Sequence, residues 1–312
     1  MSAPTRSKQS NNEPLLELRN VSKEYGGGLF QKHSTVALKD FSLSIAPSPA
    51  TIIAVVGESG SGKTTMSRLL LGLENPTTGE VRYNGKDLRH ASRSERRTAR
   101  RDLQAIFQDP FGVYNAFYRV DHVLTTPIAK FKLAKNRAEA RRMIEGALEA
   151  VGLRPDMTLG RFPHQLSGGQ RQRIMVARTL LLRPKIIVAD EPVSMIDASL
   201  RVTVLANLLQ LKREYGISLI YITHDLATAY QISDRIIVLN RGEVVEEGDP
   251  EQIVKHPQHP YTKLLIGSIP LPDPRRRWGD TLPDDEIIAS ETTDGLLNPQ
   301  SAHAGRSDAN DP

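Results

Sequence analysis

The sequence predicts an α/β fold in which a parallel sheet is covered by helices, and three observations carry that expectation. β-Branched runs at Lys185–Ala189, Ser218–Thr223 and Arg235–Leu239 are separated by helical segments such as Ser199–Tyr215, an order that places helices on a parallel sheet. An earlier run, Thr51–Val56, is bounded by proline and glycine and is apolar enough to be buried on both faces. A glycine-rich loop follows it directly and opens a helix over Thr64–Leu71, with Met66, Leu69 and Leu70 on one face and Gly72 as its stop.

The remaining elements follow in chain order. Residues 1–13 are polar and aperiodic and read as a disordered tail. Leu15–Val21 alternates as a strand, and Ala37–Ile45 does so around a Lys39–Asp40 turn signal, which predicts a small antiparallel sheet. Leu88 to Val151 reads as mainly helical. It contains an arginine-dense segment, Arg89–Arg101, and a helix over Asn136–Val151 whose Ile144, Ala147, Leu148 and Val151 fall at helical spacing before Gly152. The arginine segment has no interleaved aromatics, so a solvated helix face accounts for it better than a nucleic-acid or lipid patch. Gly169–Leu182 is a further helix, stopped before Pro184. Residues 250–270 form a short helical extension, and residues 271–312, rich in Pro, Asp, Gly and Ser, read as a disordered tail.

Composition narrows the function classes. The 312 residues carry 41 Lys+Arg against 36 Asp+Glu, a net charge of +5 that is too mild to name a partner. Asp280, Asp284, Asp285, Glu286 and Glu291 make the tail acidic, so the folded portion is more basic than the total implies. Cysteine is absent, which excludes disulfides, cysteine-ligated zinc, iron–sulfur clusters and thiol nucleophiles. No apolar run approaches the ~18 residues of a membrane span, and the N-terminus lacks the apolar core of a secretory signal. A cytoplasmic protein is expected, with any membrane association borrowed from a partner.

The chemistry is concentrated in a few motifs. Gly57-Glu58-Ser59-Gly60-Ser61-Gly62-Lys63-Thr64 has the pattern of a phosphate-binding loop and lies between a buried strand and a helix start. Its glycines let consecutive N–H groups turn toward phosphate oxygens, and the helix N-terminus adds positive potential. Lys63 is expected at the β- and γ-phosphates and the Thr64 hydroxyl on Mg²⁺, with Thr65 completing the nucleotide contacts. Ile186–Ala189 is an apolar strand ending in Asp190 and Glu191. Asp190 is placed to approach the magnesium held by Thr64, and Glu191 to polarise an attacking water. Leu166-Ser167-Gly168-Gly169-Gln170 opens a helix; it is either a plain N-cap or a start that presents N–H groups and a hydroxyl to an anion.

With LSGGQ between two nucleotide motifs, the chain resembles the ATPase subunits of ABC transporters, whose signature this pentapeptide is. The likeness spans roughly residues 15–248. It implies a P-loop NTPase cassette with a RecA-like parallel-sheet core, an antiparallel β subdomain and an α-helical signature subdomain. These would occupy an ATPase domain of residues 14–249, with the helical subdomain at about 110–182. ATP and Mg²⁺ are the implied cofactors. Tyr25, in Val-Ser-Lys-Glu-Tyr, resembles the aromatic that stacks on adenine, a core strand residue being the alternative. Gln108, in Phe-Gln-Asp-Pro, resembles the glutamine that contacts Mg²⁺ and the attacking water. Asp197 resembles the aspartate of the loop crossing the dimer interface, although Ser194-Met195-Ile196-Asp197 departs from the commoner Ser-Ala-Leu-Asp. His224, in Ile-Thr-His-Asp, resembles the switch histidine at the γ-phosphate; a structural histidine is the alternative.

The resemblance also implies partners. ATP would be sandwiched between two cassettes, with Ser167, Gly168, Gly169 and Gln170 supplied across the interface, so one phosphate loop and one signature imply a second ATPase subunit. Transmembrane permease subunits would dock near Gln108 and Phe111–Val123, placing the chain at the cytoplasmic face of the membrane. His259-Pro260-Tyr261-Thr262-Lys263-Leu264-Leu265, with Gly248-Asp249-Pro250 upstream, resembles the subfamily that energises oligopeptide, dipeptide and nickel uptake. Heterodimers of related ATPases and an extracytoplasmic solute-binding protein are common there; the cysteine cluster of some members is absent here. Oligosaccharide import is an alternative within the subfamily. An exporter's ATPase, or a soluble ABC ATPase acting on DNA or ribosomes, is the alternative outside it; no nucleic-acid partner is expected.

Overall fold

A computed structural model describes residues 13–26, 34–107, 114–194 and 198–268. Strands β1 (Leu16–Gly26) and β2 (Ser34–Ile45) come first, then β3 (Ile52–Val56) and helix α1 (Lys63–Leu70). Next are β4 (Thr78–Tyr83), β5 (Lys86–Asp87), α2 (Arg93–Asp102) and β6 (Leu103–Ile106). A helical stretch contains α3 (Asp121–Phe131), α4 (Arg137–Glu149), α5 (Pro155–Thr158) and α6 (Gly168–Leu180). The chain continues as β7 (Ile186–Asp190), α7 (Ala198–Tyr215), β8 (Ser218–Thr223), α8 (Leu226–Ile232), β9 (Arg235–Asn240) and β10 (Glu243–Gly248). Helices α9 (Pro250–Lys255) and α10 (Pro260–Gly267) complete the described elements.

Two sheets result. One is antiparallel, in the order β2-β1-β4-β5; the other runs β10-β9-β3-β8-β7-β6 and is parallel except for its edge strand β10. The alternation of β3 explains how they are stacked. Ile53 and Val55 face a core shared with Met66, Leu69 and Leu70 of α1 and with Leu18, Phe41 and Val81 of the antiparallel sheet. Ile52, Ala54 and Val56 face the opposite core, built with α3, α4, α6, α7 and α8. Every residue of β3 is buried, as its continuous apolar run requires of a strand covered on both sides. The fold is thus α/β: a parallel-sheet core, an antiparallel β sheet and a group of helices.

Several sequence expectations need correction. The stretch from Leu88 to Val151 is interrupted by β6, which pairs in parallel with β7 from Leu103↔Ile186 to Ile106↔Ala189. It is only four residues long and leaves α2 without a turn, so helical periodicity masks it. Lys39–Asp40 is no chain reversal. Strand β2 runs through it, Asp40 adopts φ 47°, and opposite it Asn20 adopts φ 45° and donates from its amide to the Asp40 carboxylate at 2.8 Å. This is a bulge in the β1–β2 ladder.

The C-terminal extension is helical, as expected, and consists of two helices divided at His256–His259. The arginines around α2 are also more than solvated. Arg89 donates to the Gly79 carbonyl and Asp87, Arg97 to the Lys130 carbonyl while lying over the Phe131 ring, and Arg101 to the Leu182 carbonyl. Their guanidinium groups tie α2 to neighbouring elements. Strands β4, β5 and β10 were not foreseen. The expected tails fall largely outside the described residues.

Candidate active site

The ladder of the parallel sheet sets the site. Val56, the last residue of β3, is in register with Thr223 of β8, and Asp190, the last of β7, with Ile222. The loop of residues 57–62, the Asp190-Glu191 pair and His224 therefore leave the sheet side by side at its C-terminal edge, where parallel sheets place ligands. The loop itself depends on close backbone approach. A Cβ on Gly57 would lie 2.2 Å from the Leu239 carbonyl oxygen, and one on Gly62 would lie 2.5 Å from that of Ala37. Gly62 also caps α1 at φ 106°, a conformation that L side chains rarely adopt. Gly242, in the turn between β9 and β10, closes the loop, donating to the Ser61 carbonyl at 2.9 Å.

Lys63 is buried and curls back over the loop, its Nζ donating to the carbonyls of Gly57 at 2.6 Å and Glu58 at 2.7 Å. Burial holds its ammonium below the ordinary lysine pKa, while Glu191, Asp190 and Glu58 oppose that shift. Ser61 is buried beneath the loop, whereas Glu58, Ser59, Gly60 and Thr64 are exposed and Thr65 is half-buried. Asp190 is driven the other way. Burial raises its carboxyl pKa, the adjacent Glu191 adds to the rise, and Lys63 and Arg68 counter it.

Glu191 adopts φ 45° and is anchored by its N–H, which donates to the Ile222 carbonyl at 2.8 Å. Its Oε1 lies 3.1 Å from Nδ1 of the exposed His224. Carboxylate and imidazole, predicted as separate candidates, are thus one hydrogen-bonded pair. Behind them Ser194 donates its hydroxyl to the Glu191 carbonyl at 3.0 Å, and the buried Gln172 of α6 donates to the Pro192 carbonyl at 3.3 Å. Gln172 was not foreseen; its only signal is an amide on an otherwise apolar helix face.

The signature pentapeptide forms a capping box on α6. Ser167 Oγ accepts the Gln170 N–H at 3.2 Å and Gln170 Oε1 accepts the Ser167 N–H at 2.9 Å. The N–H groups of Gly168 and Gly169 lie in the first turn, where helix geometry provides no internal acceptor. α6 packs on α3 and α4, and Tyr114, ahead of α3 in the chain, donates its hydroxyl to the Arg171 carbonyl at 2.8 Å. Tyr25 is 39% exposed near the end of β1, which removes the buried-core alternative. Its hydroxyl donates to Glu74 Oε2 at 2.5 Å, and the Lys23 ammonium lies 5.1 Å from its ring centroid. Gln108 and Asp197 lie outside the described residues.

A further contact was not foreseen: the Glu58 N–H donates to the hydroxyl of Tyr261, on α10, at 3.0 Å. Sequence had singled out Tyr261 only as part of a C-terminal motif.

These residues fit a nucleotide and a hard divalent cation. Glycine turns, a helix N-terminus and a buried lysine form an anion cradle, and the Thr64 hydroxyl and Asp190 carboxylate are oxygen donors of the kind Mg²⁺ takes. Among the described residues, no group of three or more His, Cys, Asp or Glu side chains could hold a metal unaided.

The fold and this edge define an ATP-binding cassette, and the chain belongs to the ABC transporter family: the profile described as "ABC transporter" matches residues 38–194. A second profile, "Oligopeptide/dipeptide transporter, C-terminal region", matches residues 245–295. The oligopeptide transport ATP-binding protein OppF of Streptococcus pyogenes serotype M1 is 38% identical over 263 residues, 84% of each chain. OppF of Salmonella typhimurium is 43% identical over 222 residues, covering 71% of this chain and 66% of its own length. The glutathione import ATP-binding protein GsiA of Salmonella paratyphi A is 40% identical over 266 residues, 85% of this chain and 42% of that protein. Among solved structures, the ATP-binding cassette MJ0796, dimeric in a post-hydrolysis state with ADP and Pi, superposes with a TM-score of 0.66 at 31% identity. That likeness covers 75% of this chain and 98% of that one. No helix among the described residues is long and apolar enough to cross a membrane.

Proposed function

We propose that this chain is the ATP-binding and ATP-hydrolysing subunit of an importer for oligopeptides or dipeptides. The observation that carries the reading is the convergence of Lys63, Asp190 and the Glu191–His224 pair on one sheet edge. The C-terminal match at residues 245–295 and the relatives' names support the import of peptides.

Each residue then has a task. The loop N–H groups and Lys63 bind the phosphates, and Tyr25 stacks on the base. Thr64, Asp190 and Gln108 would hold Mg²⁺, whose chemistry is to neutralise charge on the transferring phosphoryl group. Glu191 accepts the proton of the attacking water. With its proton on Nδ1, His224 donates to Glu191 and fixes the direction of that carboxylate. Ser167, Gly168, Gly169 and Gln170 complete the site of a second cassette from across a dimer interface in which Asp197 also lies. A dimeric cassette among the similar structures supports this arrangement. The partners are a second, related ATPase in a heterodimer, two transmembrane permease subunits and, indirectly, an extracytoplasmic solute-binding protein. The chain works at the cytoplasmic face of the membrane without nucleic acid.

The test is Glu191→Gln. Turnover is expected to fall about 10²- to 10⁴-fold, in the range of a lost general base, while ATP binding persists and the ATP-bound dimer accumulates. Near-normal turnover in the variant refutes the assignment. Peptide uptake by vesicles containing the chain with its permease and partner ATPase checks the cargo; ATP-dependent uptake of a sugar or metal alone refutes peptide import.

A further inference from the structure

The side chain of Tyr261 attaches the C-terminal segment to the phosphate loop. Glu246 of β10 accepts the N–H groups of Gln258 at 2.8 Å and His259 at 3.0 Å, which fixes where the segment crosses the sheet edge. His259 then caps α10, its Nδ1 accepting the Tyr261 N–H at 3.1 Å. Thr262 is fully buried, and the partly buried Tyr261 packs against the core beneath the helices. Anchored from three sides, Tyr261 has little freedom in where it places its hydroxyl.

That hydroxyl accepts the N–H of Glu58 at 3.0 Å. The carbonyl of the same peptide unit, Gly57 O, accepts the Lys63 ammonium at 2.6 Å. The Gly57–Glu58 peptide plane is therefore held at both ends, by the phosphate-binding lysine on one side and by the C-terminal segment on the other. A peptide plane pinned at one end only can rotate, taking with it the acceptor that sets the position of Lys63.

We infer that Tyr261 is a positioning residue for the phosphate loop, through which the docked C-terminal segment sets nucleotide affinity. The inference rests on the loop being an ATP site, as proposed above. Linkage makes the coupling reciprocal: if docking of α10 strengthens ATP binding, ATP must strengthen docking of α10 by the same factor.

Tyr261→Phe in the full-length chain isolates the hydroxyl. ATP affinity measured by calorimetry with Mg²⁺ is expected to weaken about three- to tenfold, the scale of one hydrogen bond. KM should rise in step, kcat should stay within about twofold, and the unfolding midpoint without nucleotide should not move. Leu264→Ala, on the exposed face of the same helix, should leave affinity unchanged. In hydrogen exchange, ATP should slow residues 260–267 of the wild type and not those of Tyr261→Phe. Unaltered affinity in Tyr261→Phe overturns the inference alone. So does an affinity loss matched by a lower unfolding midpoint, which marks a merely structural tyrosine. A wild-type chain that fails to bind ATP overturns the functional reading as well.

Discussion

Gly62 bears two demands at once: a left-handed φ of 106° and a carbonyl oxygen 2.5 Å from where its Cβ would be. Gly62→Ala is therefore expected to destabilise the loop by about 1–3 kcal/mol, the usual cost of such strain, and to weaken ATP binding while leaving the rest of the fold intact. Calorimetric titration with ATP, alongside a thermal melt, checks both. The glycine was legible in the sequence because a phosphate loop needs it, but the neighbour that excludes a side chain, Ala37 on β2, was not. The same holds at Glu191. Its carboxylate could be read from its place after an apolar strand, whereas its 3.1 Å contact with His224 depends on β7 and β8 lying side by side.

At the scale of elements, the segments with strong local signals were foreseen and those without were missed. The helix begun by Asn136 runs Arg137–Glu149, with the Asn136 side chain accepting the Glu139 N–H at 2.9 Å, as the apolar spacing and the glycine stop suggested. β6 and β10 are edge strands whose conformation comes from pairing with β7 and β9, so local pattern carries little of it. α10 depends similarly on a partner distant in sequence. Glu246→Ala removes the acceptor of two backbone N–H groups, and docking of residues 258–267 should weaken by about 1–3 kcal/mol. Faster hydrogen exchange confined to that segment is the expected readout, and unchanged protection there would contradict it.

Across the whole molecule, the parallel sheet is the common wall of two cores. Ile187 is fully buried in the middle of β7, against the helical side, while its neighbour Val188 faces the antiparallel side. Ile187→Ala should cost about 2–5 kcal/mol in urea unfolding, because the packed helices cannot collapse fully into the space. Since β7 also carries Asp190, the stability of the core and the position of the acidic pair depend on one strand. The raised pKa of Asp190 reflects this placement: the carboxyl is buried by the fold and stands next to Glu191.

The sequence by itself determined the residue types that can do phosphate chemistry, the strand–loop–helix unit that presents them, and the family likeness carried by the signature pentapeptide. Those signals are local, since a glycine loop, a capping box and an apolar strand each need only neighbours along the chain. The tertiary structure decided which of them meet: Gly62 with the Ala37 carbonyl of β2, Glu191 with His224, and Tyr261 with Glu58 across 203 positions of chain. Strand order and packing bring such groups together, and neither is written in any short stretch of sequence.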